Sequence, residues 1–234
     1  MTMNSKIVEY IEREIIPLYS SFDRAHQTDH AREVIDRSLA IAAEYDVDIN
    51  MVYTIAAYHD TGLTAGRERH HIVSAEILAA DKFIREHFTP EQIVVMQQAV
   101  EDHRASSDHE PRTIYGRIVA EADRLIVPQT IIRRTVQYGL AHYPTLTREE
   151  HFARCIEHLT EKYGEGGYLK LWIPHSENAR QLEALRKIIA DKAHLRELFE
   201  TIFAEEQSAL ESFCTIFYHF CCIISKFLLH LHTE

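Results

Sequence analysis

The segment NMVYTIAAYHD, residues 50–60, is apolar around nearly its whole circumference until it ends in a His–Asp pair. A helix of that kind has no face for solvent and must run through the middle of a domain, covered by others. The rest of the chain supplies the cover. KIVEYIEREIIPLY places Ile7, Tyr10, Ile11 and Ile15 near helical spacing, and DHAREVIDRSLAIAAEY repeats the period with Ala31, Val34, Ile35, Leu39 and Ala42. HHIVSAEILAADKFIREHF reads as one longer amphipathic stretch. TPEQIVVMQQAVEDH opens with Thr89 as N-cap and Pro90 at the first helical position, where its missing N–H costs nothing. RTIYGRIVAEADRLIV follows Pro111 and stops before Pro128. TREEHFARCIEHLTEKY starts on a capping box, Thr147 with Glu150, and ends at the glycines of GEGGY. From Ser176 to Gln207 the pattern is one long, charged, amphipathic helix. No segment alternates as a strand between hairpin turns, every Pro after Pro17 falls between helical patterns, and there is no internal repeat. The expected fold is all-α, a compact multi-helix bundle.

The 234 residues suit one large domain, or one domain with an appendage. A formal charge of −11 argues against binding a nucleic-acid polymer, which needs a basic surface, but leaves room for a small anionic substrate held by a local Arg cluster. Cys155 stands alone, and Cys214, Cys221 and Cys222 lie near the end, so there is no disulfide framework and a reducing cytoplasm is the simple expectation. The amphipathic, charged N-terminus does not read as a secretory signal. We expect a single helical domain over residues 1–207 and an atypical Phe- and Cys-rich tail over 208–234. Within that tail Phe213 to Leu231 is barely long enough to span a membrane and carries His219, Lys226 and His230, which a span disfavours. Three readings compete for it: a helix packed on the bundle or on a second copy in a homodimer, a membrane anchor, or an aberrant extension.

A buried carboxylate without a partner is very costly, so the pair His59–Asp60 needs company. A metal ion is one solution; a buried ion-pair network without metal is the other. Three local settings offer ligands. His30 lies near the start of its helix, with His26 four residues before it. Asp123 sits among Ile118, Val119, Ala122, Ile126 and Val127. His71 and His103 stand in RHHIVSAEIL and VEDHRAS; His70 is an alternative to His71, which is closer in register to Ala75 and Leu78 on the apolar face.

The ordered set His30, His59–Asp60, Asp123, in the contexts HAREV, AAYHDTGL and EADRL, resembles the signature of the HD-domain metal-dependent phosphohydrolase superfamily over about residues 20–130. One departure is Thr61, where an aliphatic residue often precedes the Gly. The resemblance implies an HD-type bundle with a metal site between helices, in which His30, His59, Asp60 and Asp123 bind one divalent ion. Two imidazoles and two carboxylates suit Mn, Fe, Co, Ni or Zn. It further implies attack of metal-bound hydroxide on phosphorus, the ion also neutralising phosphoryl charge. Some members hold two metals in the order H…HD…H…H…D, which here makes His71 and His103 ligands of a second ion. In single-metal relatives the same positions contact phosphate or assist proton transfer. Asp60, His71 and His103 are therefore the catalytic candidates.

Phosphate recognition needs cations. Gly62 and Gly66 suggest a flexible loop after the doublet, from which Arg67 and Arg69 reach a phosphate, while Arg104, Arg124 and His26 lie beside the signature in sequence. Arg suits this because its planar fork gives bidentate contacts. The expected function is hydrolysis of a small phosphorylated metabolite, a nucleotide. The alternatives are a nucleotide-binding signalling module without turnover, and a cyclic-dinucleotide phosphodiesterase of the HD-GYP kind. The latter is disfavoured because RASSDHEPRTIYG, after His103, has no Gly-Tyr-Pro motif, and GEGGY lies too far on and lacks the Pro.

Overall fold

The computed structural model describes residues 2–22, 27–104, 107 and 109–209. The protein is all-α; the described residues contain helices and turns and no strand. They cluster into two compact units, one of residues up to Leu125 with Leu169–Arg180, the other of Ile126–Tyr168 with residues from Gln181 on.

The first unit is built around α3 (Ile49–Tyr58), the helix that the all-apolar segment predicts. Every residue from Met51 to Tyr58 is buried, and Asp48 caps it by accepting from the Asn50 amide. Each Val, Ile or Met so buried contributes roughly 1.5–3 kcal/mol, which holds α3 against its neighbours. Around it lie α2 (Thr28–Ala42), α4 (His70–Ala80), α6 (Pro90–Glu101) and α7 (Ile114–Asp123). The core joins Ile55 and Tyr58 to Val34, Leu78, Met96, Val100 and Val119. At the N-terminus, α1 (Ser5–Tyr10) runs into a π turn (Ile11–Ile15) and then a 3-10 turn (Ile16–Ser21), with Pro17 near the start of the latter. The 169–180 segment returns to this unit and seats Ile173 in a cluster with Val52 and Ile118.

Two stretches expected as single helices are each broken by an aspartate. The first stops as α4 at Ala80 and restarts as α5 (Lys82–His87), with Asp81 in extended backbone and its carboxylate accepting from the Ile84 amide at 3.2 Å. Its other oxygen takes two phenols, Tyr10 at 2.8 Å and Tyr58 at 2.7 Å. The second divides into α10 (Glu177–Ala190) and α11 (192–209), where Asp191 accepts from the amides of Ala193 and His194. Both breaks fall in the tripeptide Ala-Asp-Lys. Asp makes a poor interior helix residue and a good N-cap, so at each site the chain gains a cap by interrupting the helix.

In the second unit α8 (Pro128–His142) packs on α9 (Arg148–Tyr163), whose predicted capping box of Thr147 and Glu150 is formed. Phe152 meets Phe199 of α11, and Arg133 of α8 pairs with Glu205 at 2.6 Å. No helix among the described residues is long and apolar enough to cross a membrane. The tail set apart at 208–234 lies, from residue 210, outside the described residues.

Candidate metal centre

Where α3 ends, three interactions fix the His–Asp pair. Tyr19, fully buried in the 3-10 turn, donates to the Ala57 carbonyl at 2.9 Å and accepts from the Asp60 amide at 3.2 Å. The Thr61 hydroxyl donates to the Tyr58 carbonyl at 2.8 Å, satisfying one of the acceptors that a helix C-terminus leaves open. That is what a Thr gives at the position where an aliphatic residue was expected.

Asp60 then reaches two sets of imidazoles, one with each carboxylate oxygen. Oδ2 lies 3.3 Å from His59 Nε2 and 3.8 Å from His30 Nε2. His30 Nε2 lies 3.2 Å from Asp123 Oδ1 and 3.4 Å from His59 Nε2, and His59 Nε2 is 3.8 Å from Asp123 Oδ1. On the other side, Oδ1 lies 3.4 Å from His70 Nε2 and 3.5 Å from His103 Nε2, which are 3.3 Å apart. His30, His59 and Asp60 form one group that can hold a metal ion, with Asp123 beside it; Asp60, His70 and His103 form another. The spacing fits. Ligand atoms about 2.1 Å from one ion stand about 3.0 Å apart at an octahedral right angle and about 3.4 Å apart at a tetrahedral one.

The imidazoles are aimed by a shared device. His59, His70 and His103 each donate Nδ1–H to the carbonyl three residues earlier, Ala56 at 2.7 Å, Arg67 at 2.7 Å and Val100 at 2.6 Å. Each bond fixes the tautomer that leaves a lone pair on Nε2, facing the carboxylates. Burial favours neutral His59, but the charges of Asp60 and Asp123 outweigh it and hold its pKa up at about 9. For Asp123, burial works against ionisation, yet the hydrogen bond from His30 and the charge of His59 pull its pKa down to about 2. Burial opposes the charge of Asp60 too, and His59 and His103 overcome it, so its pKa is lowered. Burial, followed by the charge of His103, lowers that of His70. The centre thus holds ionised carboxylates among imidazoles that compete for protons.

The other candidates fall in different places. His71 was the expected partner of His103; the structure brings His70 there instead. The inward line of α4 runs through His70, Ser74 and Leu78, and the latter two are fully buried. Ser74 disguises that line in the sequence because it is polar. Its hydroxyl accepts from the Gly62 amide at 2.8 Å. His71 is turned aside, its ring 5.5 Å from that of His70. Nor is Gly62 part of a flexible loop: it is buried in a 3-10 turn (Thr61–Ala65) against α4. A Cβ there would meet the His70 carbonyl oxygen and lie 2.5 Å from the Ser74 nitrogen. Gly66, with φ of 88°, does need glycine's freedom.

Arg67 and Arg69 are exposed in the turn before α4. Arg104 donates to the Glu68 carbonyl at 2.8 Å, bracing that turn. Arg124 is buried and donates to the Ala120 carbonyl of its own helix at 3.0 Å. Burial lowers its pKa, opposed by the charges of Asp123 and Glu121. His26 lies outside the described residues.

Sequence reasoning passed over the supports of this centre. Tyr19 is one. Asp102 is another: fully buried beside His103, it accepts from the Arg112 amide at 2.7 Å and from its guanidinium at 2.8 Å, tying the following loop to α6. Glu121, two residues before the end of α7, is buried and accepts from the Ser176 hydroxyl and the Trp172 amide, while its carbonyl takes the Asn178 side chain at 2.7 Å. The available signal was weak: an acid inside an apolar run, Asp102 in AVEDH and Glu121 in IVAEAD.

Residues 28–127 match the family model of the HD domain, an interval that contains all six donors. That match identifies residues 28–127 as an HD domain and supports the HD-domain superfamily of metal-dependent phosphohydrolases. No curated protein and no solved structure gives a significant match.

Proposed function

We propose that the protein is a metal-dependent phosphohydrolase that cleaves a small phosphorylated metabolite, a nucleotide, with two divalent transition ions held on a shared carboxylate. The observation that carries this reading is Asp60, one oxygen of which faces His30 and His59 and the other His70 and His103. His30, His59, Asp60 and Asp123 would hold one ion, and Asp60, His70 and His103 the other. Ions bound there supply Lewis-acid polarisation of a phosphoryl oxygen and a lowered pKa for water. The chain's own residues do the rest. The carbonyl-bonded imidazoles keep their lone pairs aimed, and Tyr19 and Thr61 hold the Asp60 backbone. Arg67 and Arg69, exposed in the turn before α4, would take phosphate oxygens next to His70.

The test is elemental analysis of protein purified without added metal, followed by phosphate and pyrophosphate release across a nucleotide panel with the metal found. The parent should carry stoichiometric transition metal that Asp60→Ala lacks, while His59→Ala should keep only the ion at His70 and His103. Absence of metal from the parent defeats the reading. Tight nucleotide binding with no release under Mn, Fe, Co, Ni or Zn would make the protein a signalling module instead.

A further inference from the structure

We infer that an open cleft beside the His70–His103 group is a separate subsite for the uncharged, heterocyclic part of the substrate. This deepens the functional reading above and rests on it. The cleft has a volume of about 400 Å³. Its walls are His71 and Ile72 of α4, Glu101 at the end of α6, and Ser107, His109, Glu110 and Arg112 from the loop that follows. The same two helix ends deliver His70 and His103 to Asp60, so cleft and centre share their walls.

The lining decides what the cleft can take. It does not suit a second phosphate. Arg112 is the one Arg or Lys among the described lining residues, and that guanidinium is committed to Asp102 at 2.8 Å and to Glu101 at 2.5 Å. Of the carboxylates on the walls, Glu101 pairs with Arg112 and Glu110 with Arg117 at 2.7 Å, so the walls present balanced charge rather than a cationic site for an anion. An aliphatic group fares no better, since Ile72 is the single aliphatic side chain among the described lining residues. What remains is planar and polar. The imidazoles of His71 and His109 offer flat faces, the carboxylates accept from amino groups, and the Ser107 hydroxyl both donates and accepts. A ring with donors and acceptors on its edge, as in a nucleobase, matches this set. The volume is in the range of small-molecule pockets, roughly 300–1,000 Å³.

Free adenosine and cytidine, which carry no phosphate, are titrated into the metal-loaded protein, the parent beside Ser107→Trp, which fills the cleft, and His109→Ala, which removes a face. Metal content is measured on all three to show that the centre is intact. Saturable nucleoside binding, weakened at least tenfold by either substitution, is the expected result. No binding to the parent, or equal binding to all three, overturns the inference. Nucleotide hydrolysis by the parent without nucleoside binding leaves the enzyme reading standing and removes the subsite. Cleft-dependent nucleoside binding without hydrolysis keeps the subsite and removes the enzyme reading.

Discussion

The Tyr19 hydroxyl accepts from the Asp60 amide at 3.2 Å while donating to the Ala57 carbonyl at 2.9 Å, so one phenol sets the backbone on which the shared carboxylate stands. Tyr19→Phe removes both of these hydrogen bonds at a buried site. We expect a loss of about 1–3 kcal/mol in chemical denaturation and about 10–100-fold weaker metal binding by competition with a chelating dye. Unchanged metal affinity would show that the phenol serves packing alone.

Asp60 and Asp123 differ in how many donor groups they complete. Asp60 belongs to both and Asp123 to the His30–His59 side only. Asp60→Asn should therefore empty the protein of metal, while Asp123→Asn should weaken one ion and leave the one at His70 and His103. Elemental stoichiometry on dialysed protein distinguishes the two. Equal losses in both variants would contradict independent groups.

Gly62→Ala should act at a distance from any ligand atom. The added Cβ would press on the His70 carbonyl and the Ser74 amide, and both are backbone, so α4 has to shift. Overpacking of this kind costs about 1–3 kcal/mol or more. Because His70 rides on α4, its ion should be lost before the one held by His30 and His59. A variant that keeps both ions at parent affinity would mean that α4 moves without cost to the centre.

Metal binding should release protons at neutral pH. His59 in the metal-free protein has its pKa raised to about 9 and is protonated at pH 7, whereas a ligand must be neutral. Affinity should climb with pH up to about 9. The metal-free stability runs in the opposite direction at alkaline pH. A raised His pKa gives stability that is complete below the ordinary 6.5 and lost as pH rises to about 9. The lowered pKa of Asp123 gives stability that is complete above the ordinary 3.8 and lost as pH falls to about 2. The metal-free protein should thus be most stable between about pH 4 and 6.5. Denaturation midpoints at pH 3, 5.5 and 8.5, with and without metal, test both directions.

Much of the architecture was legible in the chain because it rests on periodicity. The all-apolar run gave the central helix, and Thr89 and Thr147 announced their helices by capping. The breaks at Asp81 and Asp191 were not legible: each aspartate satisfies the helical period while its side chain does something else, and only the phenols of Tyr10 and Tyr58 reveal why Asp81 is there. The centre shows the same division. His30, His59, Asp60 and Asp123 could be read because their order is the signature. The exchange of His70 for His71 could not, since it depends on a turn of about 100° along α4 and on Ser74 serving as an inward-facing polar residue. Glu121 escaped notice because its partners, Trp172, Ser176 and Asn178, lie more than 50 positions downstream.

That last link bears on where this protein can be cut. The matched family segment ends at residue 127, but the carboxylate of Glu121, two positions from Asp123, is satisfied by residues of the 169–180 strap. A gene fragment trimmed to the recognisable segment would keep every ligand and strand a buried acid against nothing. The chain between, from Ile126 to Tyr168, clusters instead with residues from Gln181 on. The smallest portable piece is therefore longer than the piece that bears the signature.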